Sequence, residues 1–355
     1  DLFEAARLWL ARLPGGLAVS TNFAAAAFGA TSGSSLAASA AMTRLAVPEM
    51  LRHGYDRGLA AGVVASSGTL AALIPPSVMF ILYGVFAEVS IVKLLMAGLL
   101  PGLLTATVYA AMIIVRCRLN PALAPHLPGG TARRREARAR ATARVWPLLL
   151  LMAGVVGALY AGVATPTEAG AGGAALALAI AVGQGRIGAL GIADSLKDAV
   201  FTTGQIFFVA VGAVLFTRFL ALAGIGAWLA EAAGPWAEDP LLLLAGMSLV
   251  LVVLGMFLDP IGIMLIAIPV FLPLAEALAL DPVWLGVLFV KLIEIGLLTP
   301  PVGLQVYVVK AAAGDDLPLG TIFRGCAWFL VCEALVLGLL IAFPPISLAL
   351  PNAMS

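Results

Sequence analysis

Apolar residues run along this chain in stretches of roughly 20 positions, the length a helix needs to cross the hydrocarbon core of a bilayer, and such stretches recur from end to end. They are nearly continuous and lack the period-two alternation of a membrane barrel, so they predict helices. The polar interruptions carry more information than the runs themselves. Two of them break an apolar segment in the same way, "LIPPS" at Leu73–Ser77 and "LTPPV" at Leu298–Val302. A proline inside a helix removes a backbone hydrogen bond and clashes with the preceding turn, so a pair of them forces the helix open.

Seven stretches follow from the pattern. Residues 1–13 place apolar groups at helical spacing with charges opposite, which predicts an interfacial amphipathic helix. Residues 14–86 form a first unit. In it the cluster "GATSGSS" separates two short apolar arms, a re-entrant hairpin with its tip at Thr31–Ser35, and a segment from Gly58 to Phe86 follows that is broken at Gly68–Pro76. Residues 87–118 hold a scaffold span and 119–145 a basic loop. Residues 146–240 hold scaffold spans at 146–163, 169–182 and near 200–222, with an amphipathic arm "RIGALGIADSLKDA" before the last. Residues 241–312 repeat the first design: a hairpin turning at Gly255–Gly262, then a span interrupted by "EIGLLTPPVG". Residues 313–355 supply a final span and the C-terminus.

The two units match in spacing. From Ser34 to the first proline of "LIPPS" is 41 residues, and from Asp259 to the first proline of "LTPPV" is again 41. An odd number of crossings lies between them, so they enter the membrane from opposite faces as an inverted-topology repeat. The predicted fold class is therefore an all-α polytopic membrane protein with two re-entrant hairpins and two broken transmembrane helices.

Composition agrees with this and excludes much else. Of 355 residues 62% are hydrophobic and 11% charged, with mean hydropathy +1.08, against about 25% charged in soluble domains. The net charge of +1 hides a dense arginine run between Arg116 and Arg144 in which Glu136 is the only acid. By the positive-inside rule that loop faces the cytoplasm. Both ends of the first hairpin then lie inside, while the acidic segment at Ala230–Pro240, the entry of the second hairpin and the C-terminus lie outside. Cys117, Cys326 and Cys332 have no metal spacing and read as small core residues. His53 and His126 stand in no zinc motif, and no Walker loop, dinucleotide glycine pattern or nucleophile elbow occurs. No nucleophile, base and orienting group come together, so the chain is not expected to be an enzyme.

Broken helices expose backbone carbonyls and helix ends near the bilayer midplane, and hydrocarbon tolerates these only where they line a cavity or bind an ion. Prolines donate no hydrogen, so the carbonyls before them are free to act as hard oxygen ligands for an alkali cation. Ser32, Ser34, Thr69, Thr299 and Asp259 add further oxygens without soft ligands. A single serine in a membrane helix more often serves packing, whereas a carboxylate at a re-entrant tip is a functional candidate by default. Lys291 and Glu294 stand one helical step apart before the second break; they pair with each other, or Glu294 braces the broken loop, and the sequence leaves both open. Arg44 and Arg218 read as interfacial snorkelers, and Glu168 in "TPTEAG" as a helix cap.

The segments running from "GATSGSSLAASAAMTRLAV" to "ALIPPSVMFILYG", with "YAGVATPTEAGA", "GMFLDPIGIMLIAIPVFLPLA" and "EIGLLTPPVGLQVYVV", together resemble the large membrane subunit of tripartite ATP-independent periplasmic (TRAP) transporters. The likeness extends over essentially the whole chain. It implies an elevator-type, sodium-coupled importer of organic acids, such as a C4-dicarboxylate, a sialic acid or a similar carboxylate solute, in the bacterial inner membrane. A small TRAP membrane subunit and a periplasmic solute-binding protein are the implied partners besides lipid, with sodium as coupling ion and neither cofactor, transition metal nor nucleic acid. Carried onto this sequence, the resemblance puts a first sodium site at Ser32, Ser34 and the backbone around Ala71, Ile74 and Pro76. A second falls at Asp259, Thr299, Pro300 and Gly303, and Ser35, Thr69 and Gln305 become substrate-facing candidates. Ala71 and Pro260 replace glycines usual in the family, and Gln305 an asparagine. The chain starts without Met and lacks N-terminal spans the family usually has, which predicts a piece of a longer protein. The alternative is a stand-alone ion-coupled anion carrier of the same superfamily, for citrate, arsenite or sodium/proton exchange.

Overall fold

A computed structural model describes residues 6, 9–10, 13–125, 145–223 and 239–353. Most of the expected interfacial helix at 1–13, of the arginine-rich loop and of the acidic segment before Pro240 lies outside them. The described residues form an all-helical structure without strands. Four helices, Ile91–Leu119, Pro240–Phe257, Pro260–Ala277 and Leu319–Ala342, are long and apolar enough to cross a membrane, and Arg57–Leu73 with Val78–Phe86 makes a fifth candidate bent by 43°.

The first unit begins with the hairpin arms α1 (Gly16–Ser32) and α2 (Ser35–Arg52), which turn at Gly33 and Ser34. Next come α3 (Arg57–Gly68) and α4 (Leu70–Leu73), the break, and α5 (Val78–Phe86). The long α6 (Ile91–Leu119) closes this half. Three further helices follow, α7 (Trp146–Tyr160), α8 (Pro166–Gly183) and α9 (Ala189–Leu222). The second unit repeats the order: hairpin arms α10 (Pro240–Gly255) and α11 (Pro260–Ala277), then α12 (Pro282–Leu298), a break, and α13 (Leu304–Ala313). The chain ends with α14 (Leu319–Ala342) and α15 (Pro345–Asn352).

Local chemistry explains where the helices start. Asp56, Asp239, Asp259 and Asp281 each accept backbone N–H groups at an N-terminus, supplying partners the first turn otherwise lacks. At α8 the Thr165 hydroxyl and the Glu168 carboxylate form a reciprocal capping box, with 2.8 Å from the Thr165 N–H to Glu168. The sequence divided residues 186–222 into an amphipathic arm and a separate span. From Ala189 to Leu222 they form one 34-residue helix, α9, because no proline or cap interrupts it.

The two units interlock. Each pre-break helix packs on its own hairpin, α3 on α1 and α2, and α12 on α10 and α11. Past each break the chain crosses over: α13 packs on α2 of the first hairpin, and α5 on α11 of the second. The following spans do the same, α14 lying along α3 and α6 along α12. Two main apolar cores result, one joining α1, α2 and α3 to α13 and α14, the other joining α10, α11 and α12 to α5 and part of α6. By contrast α7 and α8 bury only Leu159 and Ala169, and α9 reaches the rest through α11.

Candidate functional site

The hairpin tips and the breaks meet. At the first tip Gly33 adopts a left-handed conformation, φ 62°, and its N–H closes on the Gly29 carbonyl. Ser34 caps α2 by accepting from the Ala37 N–H at 3.4 Å. The Ser32 hydroxyl lies 3.5 Å from both the backbone oxygen and the backbone nitrogen of Ser34. Opposite the tip, Ile74 is extended and a cis peptide joins Pro75 to Pro76. Pro75 lacks the N–H that would otherwise reach the Ala71 carbonyl, while the Ala72 carbonyl accepts the Ser77 hydroxyl at 2.6 Å. The Val78 N–H donates to the Gly33 carbonyl at 3.4 Å, joining break to tip. A Cβ on Gly33 would stand 3.1 Å from the Pro76 carbonyl oxygen, so that oxygen points at the bare tip.

The second tip and break repeat this arrangement. Asp259 caps α11, its Oδ2 accepting from the N–H groups of Ile261 at 3.1 Å and Gly262 at 3.0 Å. Thr299 is extended, Pro300–Pro301 is cis, and Gly303 takes the left-handed conformation at φ 61°. The Gly303 N–H donates to the Met256 carbonyl at 3.2 Å, again joining break to tip. Beside the bare Gly303 Cα, the Thr299 and Leu297 carbonyl oxygens converge, 3.2 and 3.3 Å from where a Cβ would sit. The Thr299 hydroxyl donates to the Ile295 carbonyl at 2.7 Å. The matched 41-residue spacing thus links like to like: Ser34 and Asp259 are both N-caps, and Pro75 and Pro300 both open a cis pair.

Glycine contacts pair as well. A Cβ on Gly29 would stand 2.5 Å from the Ala71 Cα, and one on Gly255 2.7 Å from the Gly296 Cα. Both hairpins therefore touch their pre-break helices backbone to backbone. Around each junction lie carbonyl and hydroxyl oxygens, joined at the second by the Asp259 carboxylate, a donor set that fits a hard monovalent cation. The surroundings differ: Ala71, Ile74 and Pro75 are buried, whereas Asp259 and Pro300 are exposed. Asp259 is thus exposed on the chain and already engaged as a cap.

Between the units lies a buried polar cluster that the sequence only partly reveals. The Ser35 hydroxyl donates to Glu294 Oε1 at 2.9 Å, and the Gln305 amide donates to the Ser35 carbonyl at 3.0 Å. Gln305 Nε2 also contacts the Ser39 hydroxyl and the Ala65 carbonyl. One residue at the first tip is therefore held by both flanks of the second break. Lys291 forms its ion pair with Glu333 of α14, not with Glu294, and donates to the Thr105 hydroxyl at 3.0 Å. The Tyr109 phenol donates to Glu333. Ser67 donates to Asn22, whose amide reaches the Ala106 carbonyl at 2.9 Å. Thr69 donates to the Ser66 carbonyl at 2.6 Å, outside the group that holds Ser35. Of the substrate-facing candidates, Ser35 and Gln305 are hydrogen-bonded to each other, and Thr69 to neither. Sequence reasoning passed over Glu333, although a lone acid in the apolar run "FLVCEALVLG" is itself a signal.

Comparison with known proteins accounts for this set of features. The family described as the DctM component of the tripartite ATP-independent periplasmic transporter matches residues 1–346. The C4-dicarboxylate TRAP transporter large permease protein DctM of Pseudomonas aeruginosa is 35% identical over 352 residues, 99% of this chain and 81% of that protein. The sialic acid TRAP transporter large permease protein SiaM of Vibrio cholerae is 32% identical over 99% of this chain and 81% of its own length. An ectoine/5-hydroxyectoine large permease protein, UehC of Ruegeria pomeroyi, is 31% identical over 98% of this chain and 80% of its length. With its multiple apolar helices and two tip-to-break junctions, the chain is a polytopic inner-membrane transport protein, not an enzyme, and it belongs to the DctM family of TRAP transporter large permeases.

Proposed function

We propose that the chain carries out sodium-coupled import of a carboxylate-bearing solute by an elevator mechanism, together with a small TRAP membrane subunit and a periplasmic solute-binding protein. The observation that carries this reading is the pair of junctions at which a hairpin tip is hydrogen-bonded to its own double-proline break, Val78 to Gly33 and Gly303 to Met256. Each collects oxygens and no soft ligand, as a sodium site requires. Ser32, Ser34 and the Ala71, Ile74 and Pro76 carbonyls would hold the first ion. Asp259, Gly303 and the Thr299 and Pro300 carbonyls would hold the second. The relatives named for C4-dicarboxylate, sialic acid and ectoine all handle solutes bearing a carboxylate, which supports that substrate class here.

The interlocking of the two units supports a single moving body. Because α14 lies along α3 and α6 along α12, we assign α6 and α14 to that body instead of the scaffold. The lightly packed α7, α8 and α9 are left as the scaffold side. Inverted orientation of the units would let the body present one site to either face in turn.

The test is uptake by the chain reconstituted with its two partners. Accumulation is expected to require an inward sodium gradient and to ignore ATP. Accumulation without any cation gradient would overturn the reading.

A further inference from the structure

Among the described residues three charged side chains are buried, Lys291, Glu294 and Glu333, each 1% exposed. They amount to one ammonium and two carboxyl groups. Lys291 is engaged with Glu333 and Thr105, and Glu333 also receives the Tyr109 phenol. Glu294 receives only the Ser35 hydroxyl on Oε1, and its Oε2 is buried with no partner. The charged groups facing Glu294 are Lys291, one step back on α12, and Glu333, on α14. A second ionised carboxylate here would be an uncompensated buried charge beside another, at a cost of several kcal/mol, and in such a pair the less well-bonded member ordinarily holds a proton.

We propose that Glu294 is a proton-binding site, and that its Oε2 takes up one proton from water as the tip of the first hairpin docks on α12 through Ser35. The step is carboxylate plus proton to carboxylic acid, with the Ser35 hydroxyl donating to the remaining carbonyl oxygen. When the tip lifts, water reaches Glu294 and a glutamate in water, with its pKa near 4.3, releases the proton at neutral pH. Docking then weakens with rising pH, by up to tenfold per unit between the pKa of the undocked glutamate and that of the docked acid, and no longer changes once the docked acid has itself lost its proton. The lifting of the tip within the moving body is a part of this proposal that the transport reading does not itself require, and the proton on Glu294 depends on neither.

Infrared difference spectroscopy of the intact membrane complex tests this without any solute. The wild type is expected to show the carbonyl stretch of a protonated carboxylic acid at neutral pH, and to lose it as the pH is raised. That band should be missing from Glu294→Gln. In Ser35→Ala, which keeps the carboxyl and removes its hydrogen bond, the band should persist at higher frequency. A neutral-pH spectrum unchanged by Glu294→Gln, or a band indifferent to Ser35→Ala, would overturn the proposal. Failure of sodium-dependent uptake would count against the transport reading and leave the band as it is.

Discussion

Lys291 and Glu333 are distant in sequence and in direct contact in the fold, and both are buried. Removing one partner strands the other in an apolar interior, so Lys291→Met is expected to lower stability by about 3–5 kcal/mol. Adding Glu333→Leu should recover much of that loss; denaturant unfolding of the single and double variants in detergent measures both. Asp259 calls for a different separation, because it caps α11 and is also a cation candidate. Asp259→Asn keeps a cap acceptor and loses the charge, so stability should hold within about 0.5 kcal/mol. The sodium concentration for half-maximal uptake should nevertheless rise several-fold. A sodium titration that matches the wild type would remove Asp259 from the site. Ser34, Asp259 and the proline pairs were legible as residues, since capping and helix breaking are local effects. Ser35 and Glu294 were each noted in the sequence, but their contact was not legible, because it depends on how α2 and α12 are brought together.

Helix α3 and helix α14 meet through glycine. A Cβ on Gly325 would fall 2.0 Å from the Gly58 carbonyl oxygen, and one on Gly62 2.4 Å from the Gly325 carbonyl oxygen. Backbone cannot yield as a flexible side chain does, so Gly325→Val should force the helices apart at a cost of about 1–3 kcal/mol. On the same helix Gly338 has open space around its Cα, and Gly338→Ala should be neutral or stabilising by up to about 1 kcal/mol. Thermal unfolding of the two variants side by side checks the contrast. Most elements were readable from period, caps and breakers: the hairpin turns fall within the predicted tips and both breaks fall at the proline pairs. The exception was α9. Its polar residues Asp194, Ser195, Lys197 and Asp198 suggested a surface piece, but a polar patch does not end a helix that has no breaker. At 34 residues it extends about 51 Å.

At the scale of the molecule, the crossing of each broken helix to the opposite hairpin turns two local designs into one body, against which α7, α8 and α9 pack lightly. If that body moves as a unit, a pair of introduced cysteines bridging α9 and α11, which touch in this arrangement, should arrest uptake when oxidised. Reductant should restore it; uptake that continues with the bridge formed would rule out displacement between those helices. The native Cys117, Cys326 and Cys332 are buried and should not compete for the bridge. By itself the sequence determined the membrane class, the family, the two hairpins, the two breaks and their common spacing. The family follows from the likeness of its motifs, and the rest from hydrophobic run length and from residues that act on their own stretch of backbone. Only the tertiary structure decided that Lys291 belongs to Glu333, that Ser35 is held by both flanks of the opposite break, and that Asp259 is exposed while the first break is buried. Those outcomes depend on which helices approach which, and that is settled by the shapes of packed surfaces far apart in the chain, glycine against backbone and apolar face against apolar face.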